Sequence, residues 1–131
     1  MAEELLSNRV ALVTGGTGGI GRAAAIGLAA AGAQVAIAGR RRDAGETTVG
    51  LISASGGSAR FVQCDVEKPV DIEQMVGRVL ELFGRLDIAF NNAGILGEMN
   101  AIADETLGNY EHVFNTNVRG TLLCMRAEMR H

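Results

Sequence analysis

The sequence predicts an α/β domain built on a parallel sheet, and two observations predict it. Four short, largely apolar runs, Arg9 to Thr14, Gln34 to Gly39, Arg60 to Cys64 and Leu86 to Phe90, alternate with stretches of helical periodicity. Such alternation makes βαβ units, whose strands are buried on both faces. The first run also ends in "TGGTGGIG" at 14–21, a glycine cluster where a strand gives way to a helix. The 131 residues suffice for one core, and no linker divides them, so a single domain over 1–131 is expected.

The helix after the first strand spans about Gly19 to Ala31. Ile20, Ala24, Gly27, Leu28 and Ala31 are predicted to form its sheet-facing side, and Gly32 ends it. The second helix has the pattern of a capping box, Asp43 as N-cap with Glu46 three residues on, and stops at Gly56–Gly57. The third carries Ile72, Met75, Val76, Val79, Leu80 and Phe83 at helical spacing, with Pro69 in its first turn and Gly84 at its end. A loop from Gly94 to Ala103 leads to a last helix starting near Asp104. Its predicted buried stripe is Val113, Phe114, Asn117, Val118, Thr121, Leu122 and Met125, and no residue before His131 signals a stop.

Composition narrows the function. A net charge of −3 and a pI near 5.3 offer no general attraction to nucleic acid or anionic lipid, "RRR" at 40–42 being a local exception. Cys64 and Cys124 lack CxxC spacing and the two histidines have no companion cluster, so neither a disulfide framework nor a metal site is expected. The acidic start "MAEELLSNR" is not a secretory signal, and the most apolar stretch, Ala23 to Gly39, falls short of a membrane span. A soluble, cytoplasmic protein follows.

The glycines can be counted in three ways: GxGxxG (Gly16, Gly18, Gly21), TGxxGxxG (Gly15, Gly18, Gly21) or TGxxxGxG (Gly15, Gly19, Gly21). All three place main-chain N–H groups, unobstructed by Cβ atoms, at the positive end of a helix, where a pyrophosphate binds. No Gly-Lys-Ser/Thr follows, which excludes a Walker-type loop. The GxGxxG count calls for an acidic residue about 20 positions on, to hold a ribose 2′-hydroxyl. "AGRRR" stands there instead. Arg40 suits a 2′-phosphate, since guanidinium stays charged and binds phosphate oxygens in pairs, and so favours NADP(H) over NAD(H). The other reading of Arg40 is a solvated basic turn.

"NNAG" at 91–94, directly after the fourth strand, chooses among the counts. The pairing of TGxxxGxG with NNAG resembles the N-terminal half of a short-chain dehydrogenase/reductase of the single-domain branch. Gly15, Gly19 and Gly21 then become the working glycines. The resemblance implies a Rossmann-like, doubly wound parallel sheet of strand order 3-2-1-4. It implies that Thr14, Gly15 and Ile20 line the pyrophosphate turn, that Asp65 and Val66 meet the adenine, and that Asn91, Ala93 and Gly94 flank the adenosine ribose and support the sheet. Asp65 reads equally as a carboxylate capping the next helix. Within "FNTNVRG", Asn117 matches the family's catalytic asparagine, whose helix position holds a water of the proton relay. An amide on that apolar stripe requires hydrogen-bond partners, and the alternative reading is a structural Asn bonded to nearby backbone.

The family exchanges hydride between nicotinamide and a carbonyl or alcohol carbon, using a serine and the tyrosine and lysine of YxxxK. Here Tyr110 and Lys68, the sole tyrosine and lysine, cannot form that motif. The resemblance therefore makes the chain the first half of a reductase that acts on a ketone or secondary alcohol and assembles as a tetramer, and makes the 131 residues inactive alone. A non-catalytic nucleotide-binding or interaction module is the alternative.

Overall fold

The computed structural model describes residues 4–131; the first three residues of the acidic N-terminal stretch lie outside it. Four parallel strands, β1 (Val10–Thr14), β2 (Gln34–Gly39), β3 (Ser58–Gln63) and β4 (Ile88–Asn91), form one sheet in the order β3-β2-β1-β4. β1 and β2 fall where their apolar runs predict. β3 begins two residues early and β4 two residues late relative to theirs.

Side chains alternate across a strand, so β1 feeds two cores. Val10 and Leu12 join Ala36, Ala38 and Val62 under α3 (Pro69–Phe83) and α5 (Thr121–Glu128). Ala11 and Val13 join Val35 and Ile37 under α1 (Gly19–Ala30) and α2 (Arg42–Ala54). Helices thus cover both faces, as a doubly wound sheet requires. The connection leaves β1 toward one face, while β4 lies on β1's other side. The C-terminal ends of β1, β2 and β4 are level, with Thr14 opposite both Ala38 and Asn91. A crevice at this edge of the sheet, where strand order reverses, is where such folds bind ligands.

α3 follows its pattern: Ile72, Met75, Val76 and Val79 are buried, Pro69 starts the helix, and Gly84 ends it at φ 78°. Three helical expectations are corrected. In α1 the buried residues are Gly21 and Ala25, whereas Ile20 is 75 % exposed, because the close approach of Gly21 to the preceding turn rotates the contact face by one residue. α2 has no capping box: its N-cap is Arg41, extended and without a side-chain cap, Asp43 sits in the first turn, and Glu46 pairs with Arg42.

The last helix is broken into pieces. After a single 3₁₀ turn (Ile102–Asp104), α4 (Leu107–Phe114) is capped by the Thr106 side chain, which accepts from Asn109 N–H. A π-helical segment (Asn115–Gly120) then leads into α5. The wider π turn resets the helical phase, so the buried face runs through Thr116, Gly120, Cys124 and Ala127. Of the expected stripe, Phe114, Val118, Leu122 and Met125 are exposed. α5 stops at Glu128, short of the chain end, where Met129 makes the terminal turn.

Candidate functional site

The glycine turn sits where β1 becomes α1, and its backbone favours one of the three counts. Gly15 (φ 67°) and Gly19 (φ 54°) adopt left-handed conformations, and a Cβ on Gly21 would collide with the Gly15 carbonyl. Gly18, which the other two counts require, is extended and has open space around it. The TGxxxGxG spacing therefore describes the positions where this turn needs glycine. Among the described residues, the Thr17 and Gly18 N–H groups have no acceptor within the chain.

The turn opens into a cavity of about 300 Å³ lined by Thr14, Gly15, Thr17, Gly18, Arg40 and Asp65 together with the loop after β4. At the end of β2, a Cβ on Gly39 would strike the Thr17 methyl, so the first side chain available to a ligand there is Arg40. Arg40 is exposed and pairs with no carboxylate among the described residues, and Gln63 fixes its backbone by donating from Nε2 to the Arg40 carbonyl at 3.1 Å. Asp65 does not cap α3, whose N-cap is Lys68. Its Oδ1 accepts from Glu67 N–H at 3.0 Å, a local turn bond that leaves the residue on the cavity wall beside Val66.

The NNAG loop is tied to the glycine turn. Thr14 Oγ1 accepts from Ala93 N–H at 3.1 Å, and Asn92 Nδ2 donates to the Gly15 carbonyl at 3.3 Å. Beyond it, two amides hold the next residues. Asn117 accepts from Ile95 N–H and donates to the Ile95 carbonyl, both at 2.8 Å. Asn109 does the same to Glu98, at 2.8 and 3.1 Å, and is itself anchored to the Glu105 carboxylate. That interaction is the main cause holding the Glu105 carboxyl below its ordinary range. The required partners of Asn117 are thus loop backbone, and its carbonyl accepts from the Thr121 hydroxyl at 2.9 Å.

Of the residues expected to bind coenzyme, the cavity wall contains Thr14, Gly15, Arg40, Asp65, Val66, Ala93 and Gly94. Gly19 and Gly21 shape the turn from behind. Ile20 points outward, and Asn91 lies behind the loop, donating from Nδ2 to Glu128 at 2.9 Å. Burial raises the Glu128 carboxyl above its ordinary range, and the buried Asn91 Oδ1 and Glu128 Oε1 have no hydrogen-bond partner among the described residues. Thr17, Gly18, Asn92 and Ile95 join the wall unanticipated, although all four lie inside or directly beside the quoted motifs. Thr116 also lines it, and nothing in the sequence marks that residue. Cys64 borders the cavity, but burial, and next the neighbouring Cys124, pushes its thiol up to about 12, so it is a wall rather than a nucleophile.

A glycine turn opening a helix, a loop clamped to that turn and a basic residue after the second strand define a nucleotide-binding α/β domain. Comparison with known proteins gives the family. The family profile described as short chain dehydrogenase matches residues 9–131. The 2,5-dichloro-2,5-cyclohexadiene-1,4-diol dehydrogenase of Sphingobium indicum is 41 % identical over 124 residues, 95 % of this chain and 48 % of its own length. The 3beta-hydroxysteroid dehydrogenase of Mediterraneibacter gnavus is 34 % identical over 93 % of this chain and 44 % of its own. Among solved structures, a short chain dehydrogenase from Burkholderia cenocepacia in complex with NADP superposes with a TM-score of 0.91 at 41 % identity, covering 97 % of this chain and 52 % of that one. A dehydrogenase/reductase from Sinorhizobium meliloti gives a TM-score of 0.94 at 32 % identity, over 99 % and 52 %. The chain belongs to the short-chain dehydrogenase family, and it spans about half the length of the curated relatives it matches.

Proposed function

We propose that the chain binds NADP(H) in preference to NAD(H), as the coenzyme half of an oxidoreductase acting on a ketone or secondary alcohol. The observation that carries this reading is the wall itself: Thr17 and Gly18, whose N–H groups have no acceptor among the described residues, line one cavity of about 300 Å³ together with Arg40, which pairs with no carboxylate among those residues. The residues fit the group. The turn from Thr14 to Gly21 receives the diphosphate, Arg40 the 2′-phosphate, Asp65 and Val66 the adenine, and Ala93 and Gly94 the ribose. When bound, the coenzyme supplies the hydride. The chain's own part is to orient it, with Asn117 fixing the loop at Ile95 and holding the helix position of a relay water.

Within these 131 residues Tyr110 stacks on Phe114 with ring centroids 4.5 Å apart, and Lys68 is the N-cap of α3, so neither serves a YxxxK relay. We infer that the chain alone turns over no substrate, and that a longer form acts in the cytoplasm as a tetramer. No helix among the described residues is long and apolar enough to cross a membrane, and no acidic or thiol cluster there could hold a metal. Calorimetric titration with NADPH and with NADH tests the reading. Tighter NADPH binding is expected; no binding of either coenzyme would favour an interaction module.

A further inference from the structure

Behind the glycine turn lies a hydrogen-bonded chain that no sequence motif announces. Thr48, on α2 and fully buried at 0 % exposure, donates from Oγ1 to the Gly16 carbonyl at 2.9 Å and accepts there from Arg22 Nε at 2.9 Å. Arg22, one residue past the last glycine of the motif, donates from Nη2 to the Thr17 carbonyl at 2.6 Å and to the Ala44 carbonyl at 3.2 Å. The guanidinium and the hydroxyl thus join the turn, α1 and α2, and among the described residues Arg22 meets no carboxylate.

We propose that Arg22 and Thr48 are positioning residues for the coenzyme diphosphate, setting the direction of the turn's main-chain donors from behind. In a planar trans peptide the C=O and the following N–H point opposite ways. Holding the Gly16 carbonyl toward the Thr48 hydroxyl and the Thr17 carbonyl toward the Arg22 guanidinium therefore turns the Thr17 and Gly18 N–H groups away from those two side chains. Among the described residues neither of these donors has an acceptor, and both residues line the cavity. Without the clamp the two peptides can rotate, and the donors lose their common aim. The Ala44 bond carries the same restraint into the first turn of α2, which begins directly after Arg40 and Arg41.

The inference rests on the dinucleotide reading, and its test separates the two. The purified protein and its Thr48→Val, Thr48→Ser and Arg22→Met variants are titrated calorimetrically with NADPH and with adenosine 2′-monophosphate, which lacks the diphosphate. Thr48→Val is nearly isosteric but removes the hydroxyl, and should weaken NADPH about tenfold while leaving the monophosphate within about twofold. Thr48→Ser should restore NADPH. Arg22→Met should repeat the contrast, and decides the matter if Thr48→Val does not fold. NADPH affinity unchanged in the variants, or both ligands weakened alike, overturns the clamp. Failure of the unaltered protein to bind NADPH overturns the clamp and the dinucleotide reading together.

Discussion

At the scale of single residues, the proposed coenzyme selectivity is assigned to Arg40, and the shape of the turn depends on Gly21, where a Cβ would meet the Gly15 carbonyl. Arg40→Asp replaces an unpaired cation with an anion facing the 2′-phosphate, and should weaken NADPH by well over about tenfold while changing NADH little; equal losses in parallel titrations would remove Arg40 from the site. Gly21→Ala forces a methyl group against the Gly15 carbonyl. Overpacking of this kind costs about 1–3 kcal/mol, measurable by urea unfolding, and should abolish coenzyme binding as the turn shifts. The thiols should be silent. Burial pushes Cys64 and Cys124 each to about 12, so iodoacetamide at pH 8 should label neither until denaturant is added. The working glycines were legible because backbone geometry leaves a sequence trace: the left-handed φ at Gly15 and Gly19 favours glycine, and Gly21 has no room for a Cβ. Thr48 was not legible, since a buried threonine within a helix looks like any other and its partners lie 26 and 32 residues away.

At the scale of elements, periodicity gave α3 its face and missed that of the last helix, and the reason is physical. A stripe drawn at 3.6 residues per turn cannot foresee a π turn at Asn115–Gly120, which shifts every later residue around the axis. The capping box expected in α2 is absent for a different reason. A carboxylate in the first turn satisfies the pattern without occupying the N-cap. Two asparagines clamp the loop after β4 onto this irregular helix. Asn109→Ala leaves the Glu98 N–H and carbonyl without partners, at a cost of about 1–3 kcal/mol, and amide exchange at Glu98 should accelerate while that in β2 does not. Asp87 ties β4 to β1 by accepting from Val10 N–H at 2.9 Å, alongside Arg85. The Arg85 hydrogen bond, then that of Val10, lowers its carboxyl to about 2. Because the folded value lies below the unfolded one, near 3.9 (approximately, from model peptides), the stabilisation is complete above about pH 4 and is lost as pH falls through about 2. Asp87→Asn should therefore lower stability at pH 7, and the gap to the unaltered protein should close toward pH 2.

At the scale of the whole molecule, the two-sided core and the 3-2-1-4 order explain why the C-terminal edge of the sheet holds the candidate site, while α4, the π segment and α5 carry exposed apolar side chains. Tyr110, Phe114, Val118, Leu122 and Met125 lie exposed along those helices, and β4 is a sheet edge with Phe90 at its rim. Large apolar surfaces and bare edges favour association. Light scattering should give a mass above the 13.7 kDa of one chain, and a Val118→Lys/Leu122→Lys double variant should return it toward that value. The most direct test of the account is a map of amide chemical shifts on adding NADPH to the isotopically labelled protein. Shifts concentrated at Gly15 to Gly21, Arg40, Asp65, Val66 and Ala93 to Ile95 are expected. Saturable binding whose shifts fall elsewhere, leaving the Thr14–Gly21 turn unperturbed, would contradict it.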